Sequence, residues 1–450
     1  MTEQKAPAGP KGGLFGLGNL FEFQKDTLGF LSKTAHDYGD IIHFRFGPYP
    51  MYIIKHPDYI HELLITQNKK LEKWQRQIHV WEKSLGHSSL TTEGEFWRKQ
   101  RKLLQPAFHS QRIKHYTQIV VDHVQRMFER WGDGTTYEIS EELSNVTMGI
   151  IAEILFSMKD IHKDAAELND AILGVMEKTT VETNAMMPLP DWVPSPRNLK
   201  ENHALKVFED YIMKIIKTRR AEGEDRGDLL SSMLLTVDEE EGGIRMDDRQ
   251  VCDEAKGLFA AGHETTAMLL TWTLYALAQY PDVTEKLYQE LSTVLQGRAP
   301  TWDDLEALDY TEKVLRETLR LYPPAWSLQA REALEDIELG DVTIQKGGVI
   351  LMSPWVMHHD ERFFDDPQRF NPERFEGDYK KRFPTYAYFP FGGGQHVCIG
   401  SHLAMMEAKA LLAMLTQQYT FELVAHHKVE LLALVTVRPK HGVMMKVTKR

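Results

Sequence analysis

The sequence predicts a mainly α fold with a smaller β region. Three observations carry that reading. Helical patterning recurs over Gln111–Trp131, Ser140–Phe156, Ala165–Ala185, Asn202–Glu222 and Ser401–Tyr419. A longer run opens at Asp247 to Gln250, which fits a capping box with Gln three residues after the N-cap acceptor. It continues to Gln279 and stops before Tyr280-Pro281. At roughly 1.5 Å per residue this helix is about 50 Å long, enough to cross the molecule. Strand patterning, by contrast, is short and lies towards the two ends.

Taken in order, Ile41–Phe46 and Met51–Ile54 alternate as strands do, joined by Gly47-Pro48-Tyr49-Pro50. His56-Pro57-Asp58 opens an amphipathic helix to about Thr66. Residues 67–92 are mixed, and Phe96 to Lys102 begins another helix. Met186 to Pro196 holds four prolines, which end any helix and suggest a cover. An acidic linker, Asp238 to Gly243, precedes the long helix. Thr301-Trp302-Asp303-Asp304 forms a second capping box, ahead of a helix over Tyr310–Tyr322 that ends at Pro323-Pro324. Val342–Ile344 and Val349–Met352 flank Gln345-Lys346-Gly347-Gly348 as a hairpin. Leu432–Val437 and Val443–Val447 form a second β pair.

The composition bounds the function. The chain of 450 residues is 42% hydrophobic and 26% charged, which is globular. Lys and Arg number 53 against 65 Asp and Glu, a net charge of −12 that argues against nucleic acid as a partner. Cys252 and Cys398 are the two cysteines, too few for a disulfide framework, so a reducing cytoplasm is expected. The first 13 residues are polar and lack an apolar signal core. Leu258–Ala278 has the length of a membrane span, but His263, Glu264 and its hydroxyls mark it as buried in protein, so no transmembrane segment is expected. By length the chain could be one large domain or two to three ordinary ones, and a single domain over 1–450 is what the resemblance below implies.

The chain is organised around Phe389-Pro390-Phe391-Gly392-Gly393-Gly394-Gln395-His396-Val397-Cys398-Ile399-Gly400. A cysteine before a helix start meets unpaired N–H groups and the positive dipole end, which favour thiolate. Glycines let the main chain lie against something flat. In the long helix, Ala260-Ala261-Gly262-His263-Glu264-Thr265-Thr266 offers small residues for the same purpose. Its neighbouring carboxylate and hydroxyl could order water and pass protons. Thr265 can bond the carbonyl a turn earlier. Trp97 and Arg101 share a helix face, as do Glu317 and Arg320.

Phe391, Gly394, His396, Cys398 and Gly400 resemble the haem-binding signature of the cytochrome P-450 haem-thiolate monooxygenases, Phe-x-x-Gly-x-(Arg or His)-x-Cys-x-Gly. Ala404-Met405-Met406-Glu407 continues in the family's manner. The resemblance extends along nearly the whole chain and implies a fold in which a long central helix and the cysteine loop sandwich haem b. Cys398 would be the axial metal ligand, a thiolate that pushes electron density onto iron and favours O–O cleavage. Trp97, Arg101, Arg331 and His396 would meet the haem propionates, with Ala261 and Phe391 as further cofactor contacts. Glu264 and Thr265 match the family's acid–threonine pair, the catalytic proton relay. Glu317, Arg320 and Arg374 would form a structural network behind the haem. Leu90, Phe259, Ala260, Ala325, Trp326 and Thr436 are the expected substrate pocket.

The implied activity is monooxygenation of a small apolar molecule, such as a fatty acid or terpenoid, by hydroxylation or epoxidation. Electrons would come from a separate ferredoxin or flavodoxin with its reductase, and outward Arg98, Lys99 and Lys102 could dock such an acidic donor. The resemblance is to soluble, bacterial-type members. A peroxide-using or isomerising haem-thiolate enzyme, or a non-enzymatic haem sensor, stays open at this point.

Overall fold

The computed structural model describes residues 7–13, 16–159, 182, 193, 196–237, 243 and 245–450. The expected helix at 165–185, most of the proline-rich cover and most of the acidic linker lie outside the described residues.

Helices dominate. The longest, Asp248–Leu277, starts with both bonds of the capping box: Gln250 N–H donates to the Asp247 carboxylate, and the Asp247 N–H donates to the Gln250 side chain. It packs along Ile139–Phe156, whose residues are buried almost all round, as a helix enclosed by others must be. Gly262 makes that approach possible, because a Cβ there would sit 2.9 Å from Ile151 Cδ1. Its missing side chain thus serves helix–helix packing, and Gly262 also borders the cavity. Ser110–Arg130, Asp309–Leu321 and Ser401–Gln418 complete the apolar core. Pro196–Glu222 begins earlier than expected, with a proline in its first turn where the missing N–H costs nothing. Within the mixed 67–92 stretch, Leu71–Lys73 is a strand and Gln75–Leu85 a helix.

The expected strands Ile41–Phe46 and Met51–Ile54 pair antiparallel, and the two later β pairs need correction. Val342–Ile344 pairs with Ile337–Leu339, not with Val349–Met352. Val349–Met352 instead lies parallel to Tyr49–Ile54, Met51 opposite Val349, inside a five-stranded sheet completed by Ile41–Phe46, Arg331–Ala333 and Leu71–Lys73. All four residues of Val349–Met352 are buried, and an unbroken apolar run marks an interior strand, not a half-exposed hairpin arm. Near the C-terminus the expected strand 432–437 is broken by a turn in which Leu434 N–H donates to Thr436 O at 2.9 Å. Leu431–Ala433 therefore folds back on Val437–Pro439. Met444–Lys449 pairs with Tyr419–Leu423 and Thr135–Glu138.

Between the long helix and the cysteine loop lies a cavity of 520 Å³. Among the described residues no helix is long and apolar enough to cross a membrane.

Candidate active site

The cysteine loop forms one wall. Gly392 and Gly394 have φ of 74° and 63°, where side-chain-bearing residues are strained. A Cβ on Gly394 would stand 2.6 Å from Leu64 O, and one on Gly393 would collide with the Tyr386 ring. Gly393 and Gly394 fit the loop against its own protein support, while Gly392 and Gly393 border the cavity. The loop closes with Cys398 N–H donating to Phe391 O at 2.9 Å, and Cys398 faces the cavity. Burial pushes the thiol up, and the Gly400 N–H and Arg101 only partly oppose it. A metal held by this sulfur would deprotonate it outright.

The opposite wall is the middle of the long helix. Ala260, Ala261 and Thr265 line the cavity, and Thr265 Oγ1 donates to Ala261 O at 2.7 Å. Glu264 does not line it. Adjacent helix residues point about 100° apart, so a carboxylate next to a cavity-facing threonine is turned away. Glu264 is 2% exposed. Its Oε1 accepts from Thr436 Oγ1 at 2.9 Å and lies 3.7 Å from Arg438. Burial raises its carboxyl, with Arg438 and Thr436 pulling the other way. His263 is wholly buried, its Nε2 beside Ser144 at 2.9 Å, and burial lowers it to about 4, a neutral packing imidazole.

The rim is cationic. Arg331 is 5% exposed and its guanidinium reaches only Gln329 O, at 3.3 Å. No carboxylate among the described residues pairs with it, and burial pulls its pKa down. Arg101 donates to Val397 O at 2.7 Å and is likewise without a carboxylate partner among the described residues. Trp97 packs on His396 with ring centroids 4.1 Å apart. Two residues that the sequence did not bring forward complete this corner. Lys73 is buried, donates to Ser89 O and Thr92 O, and is lowered by burial to about 7. Glu93 stands 3.4 Å from His396. Burial pushes Glu93 up, but hydrogen bonds and charge from His396 and Lys73 bring it down to about 2. Sequence offers no signal for Glu93, since its partners come from residues 73 and 396.

Behind the cysteine wall, Glu317 and Arg320 are both 0% exposed and joined by two bonds of 2.8 Å. Arg320 also donates to His358 O, Pro367 O and Arg369 O, and Arg374 reaches Glu317 at 3.3 Å. Leu90, Phe259, Ala325, Trp326, Phe391 and Thr436 all border the cavity. So does Glu407, for which the sequence named no role; it is buried, and burial raises it to about 8.

A soft sulfur on one wall, small residues on the other and two arginines without carboxylate partners among the described residues at the rim, Arg331 buried and Arg101 half-buried, suit a flat, metal-bearing ring with acidic arms. Buried cations of this kind demand an anion. That chemistry is haem-thiolate chemistry. The comparisons with known proteins agree. The Cytochrome P-450 family model matches residues 7–446. The chain is 34% identical over 407 residues to cyclooctat-9-en-7-ol 5-monooxygenase of Streptomyces melanosporofaciens, covering 90% of this chain and 87% of that protein. It is 29% identical over 438 residues to pentalenene oxygenase of Streptomyces avermitilis, covering 96% and 95%. Cytokinin hydroxylase of Arabidopsis thaliana is 33% identical over 417 residues, covering 89% and 79%. The chain belongs to the cytochrome P-450 family, and it is a haem-dependent monooxygenase.

Proposed function

We propose that this enzyme inserts one atom of O2 into an apolar, ring-containing hydrocarbon or its alcohol, of terpenoid type. The observation that carries the substrate class is the lining above Cys398: Leu90, Phe259, Ala260, Ala325 and Trp326 present hydrocarbon, with hydroxyls at Thr265 and Thr436. The names of two relatives, an oxygenase of pentalenene and a monooxygenase of cyclooctat-9-en-7-ol, support it.

Bound haem b, held by the Cys398 thiolate, supplies the O2-activating chemistry. The residues of this chain do the rest. Arg101, Arg331, His396 and Trp97 anchor the acidic arms, while Ala261 and Phe391 pack on the ring. Thr265 holds its hydroxyl against Ala261 O at the cavity wall, where it can orient water. Glu264 is the proton reservoir of that wall. Glu317, Arg320 and Arg374 fix the helix and loop behind Cys398. The apolar walls exclude bulk water from the reacting carbon. Electrons come from a separate ferredoxin or flavodoxin, docked at the exposed Arg98, Lys99 and Lys102 face. We place the enzyme in the cytoplasm as a single-domain protein.

The test is a substrate screen read by the haem spin-state shift, with pentalenene and fatty acids as opposed probes. Cyclic hydrocarbons should shift the spectrum and be hydroxylated or epoxidised with NADPH and a surrogate ferredoxin system. A response to fatty acids alone overturns the substrate class. Turnover with peroxide alone, equal to that with NADPH, overturns the reading of Glu264 and Thr265.

A further inference from the structure

The acid of the long helix has no face on the cavity, yet a hydroxyl from another part of the chain bridges the gap. Thr436 borders the cavity and donates to Glu264 Oε1 at 2.9 Å. Glu264 Oε2 is buried without a hydrogen-bond partner among the described residues. On the far side, Arg438 lies 3.7 Å from Oε1, an ion-pair distance too long for a direct hydrogen bond. Its side chain is 28% exposed, so this end of the chain of groups touches solvent.

The bridge is held rigidly. Trp326 Nε1 donates to Leu434 O at 2.8 Å and Trp272 Nε1 to Val437 O at 2.9 Å. Val437 N–H donates to Pro324 O at 2.9 Å. Three hydrogen bonds therefore pin the turn that carries Thr436, and the hydroxyl is placed before anything binds.

We propose that the Leu434–Arg438 turn is the proton entry of the active site: protons pass from solvent beside Arg438 to the Glu264 carboxyl and then through the Thr436 hydroxyl into the cavity. The inference rests on the reading of Glu264 and Thr265 given above. The transfer balances as a relay. When Glu264 is protonated the Thr436 O–H turns to the cavity and Oγ1 accepts from the acid; Glu264 then gives its proton to Oγ1 while the hydroxyl's own proton leaves for an acceptor in the cavity. Glu264 is reloaded from water beside Arg438, and only O–H bonds form and break. Arg438 itself keeps its protons; its charge orients the water and stabilises the carboxylate between transfers. Thr436 is thus a positioning and relay residue, distinct from the substrate-contacting role that its place in the lining alone would suggest.

The experiment uses the holoenzyme and needs no substrate. NADPH-driven oxygen consumption with a surrogate ferredoxin and its reductase is measured in H2O and D2O for the wild type, Thr436→Val, Thr436→Ser, Glu264→Gln and Thr265→Val. In parallel, the infrared carboxyl band lost in Glu264→Gln is followed in the Thr436 variants. Thr436→Val should slow consumption by roughly tenfold or more, the scale of one lost general-acid step, and enlarge the solvent isotope effect. It should also shift the Glu264 carboxyl band, and Thr436→Ser should restore all three. An unchanged rate and isotope effect in Thr436→Val, beside slowed Glu264→Gln and Thr265→Val, overturns this inference alone. Wild-type behaviour in all the variants overturns the parent reading and this inference with it.

Discussion

Two helices of this molecule carry an acid and a base three residues apart, and the pairs do opposite things. Glu317 and Arg320 are fully buried behind the cysteine wall. Asp253 and Lys256, at 2.8 Å and almost as buried, lie on the long helix at the roof of the cavity. Arg320 spends its remaining donors on carbonyls of 358–369, so the first pair welds one helix to one neighbouring loop. Lys256 shares itself with Glu209 on Pro196–Glu222, and Asp253 accepts from His87 N–H at 3.0 Å. Gly86 has a φ of 61°, and a Cβ there would collide with the Asp253 carboxylate. The second pair is therefore a joint between three segments. Spacing alone does not distinguish a weld from a joint; the third and fourth partners do.

The largest effect is expected at the weld. Glu317→Ala leaves Arg320 charged and unpaired at 0% exposure. Breaking a buried pair from one side costs about 3–5 kcal/mol. We expect little folded, haem-loaded protein, read by haem content after purification and by urea unfolding. Normal haem content with a normal unfolding midpoint would dissolve the contrast with the roof.

That contrast also explains what was legible in the sequence. Cys398, the Asp247 capping box and the Glu317–Arg320 pair are local patterns, with all their determinants within about ten residues. The long helix and the mainly α class were readable for the same reason. The two β pairs were misread because the true partner of Val349–Met352 lies some 300 positions away, at Tyr49–Ile54. Proximity in sequence favoured a hairpin that burial forbids. Glu264 and Thr265 stand side by side in the sequence, but the orientation of Glu264 depends on Thr436 and Arg438, which no local pattern links to it. Glu93 and Lys73 escaped notice entirely. An isolated charge reads as surface until the structure shows that it is enclosed.

A smaller effect is expected at the joint. Lys256→Met removes the cation, but Asp253 keeps Arg249 at 3.3 Å and Glu209 keeps its bond to Arg249. With those partners retained the cost should be about 1–2 kcal/mol, the scale of one charge-assisted hydrogen bond. The protein should fold and bind haem, while amide hydrogen exchange at His87 and Ser89 accelerates and bound ligand leaves faster. If exchange in 86–92 is unchanged while global stability drops, the cluster is a second weld.

The remaining effect concerns pH, and it is confined to a pH window. Glu254, next to Asp253, is fully buried and accepts from Ser89 N–H at 2.7 Å. Burial raises its carboxyl from 4.5 to about 7, with the Ser89 hydrogen bonds and Lys73 opposing. Between those two values the folded protein holds a proton that the unfolded chain has released, so stability falls as pH rises from 4.5 to about 7. Lys73 runs the other way in the adjoining window. Burial lowers it from 10.5 to about 7, so over that range the unfolded chain holds the extra proton and stability rises with pH. Glu254→Gln keeps an acceptor for Ser89 and removes the lower slope alone. At about 1.4 kcal/mol per pKa unit, the variant should gain on the order of 1–3 kcal/mol relative to wild type near neutrality. Thermal melting followed at steps from pH 5 to 7 reads this directly. Parallel curves for the variant and wild type would show that Glu254 stays ionised at the roof, held there by Lys73, and that the joint carries a second charge pair.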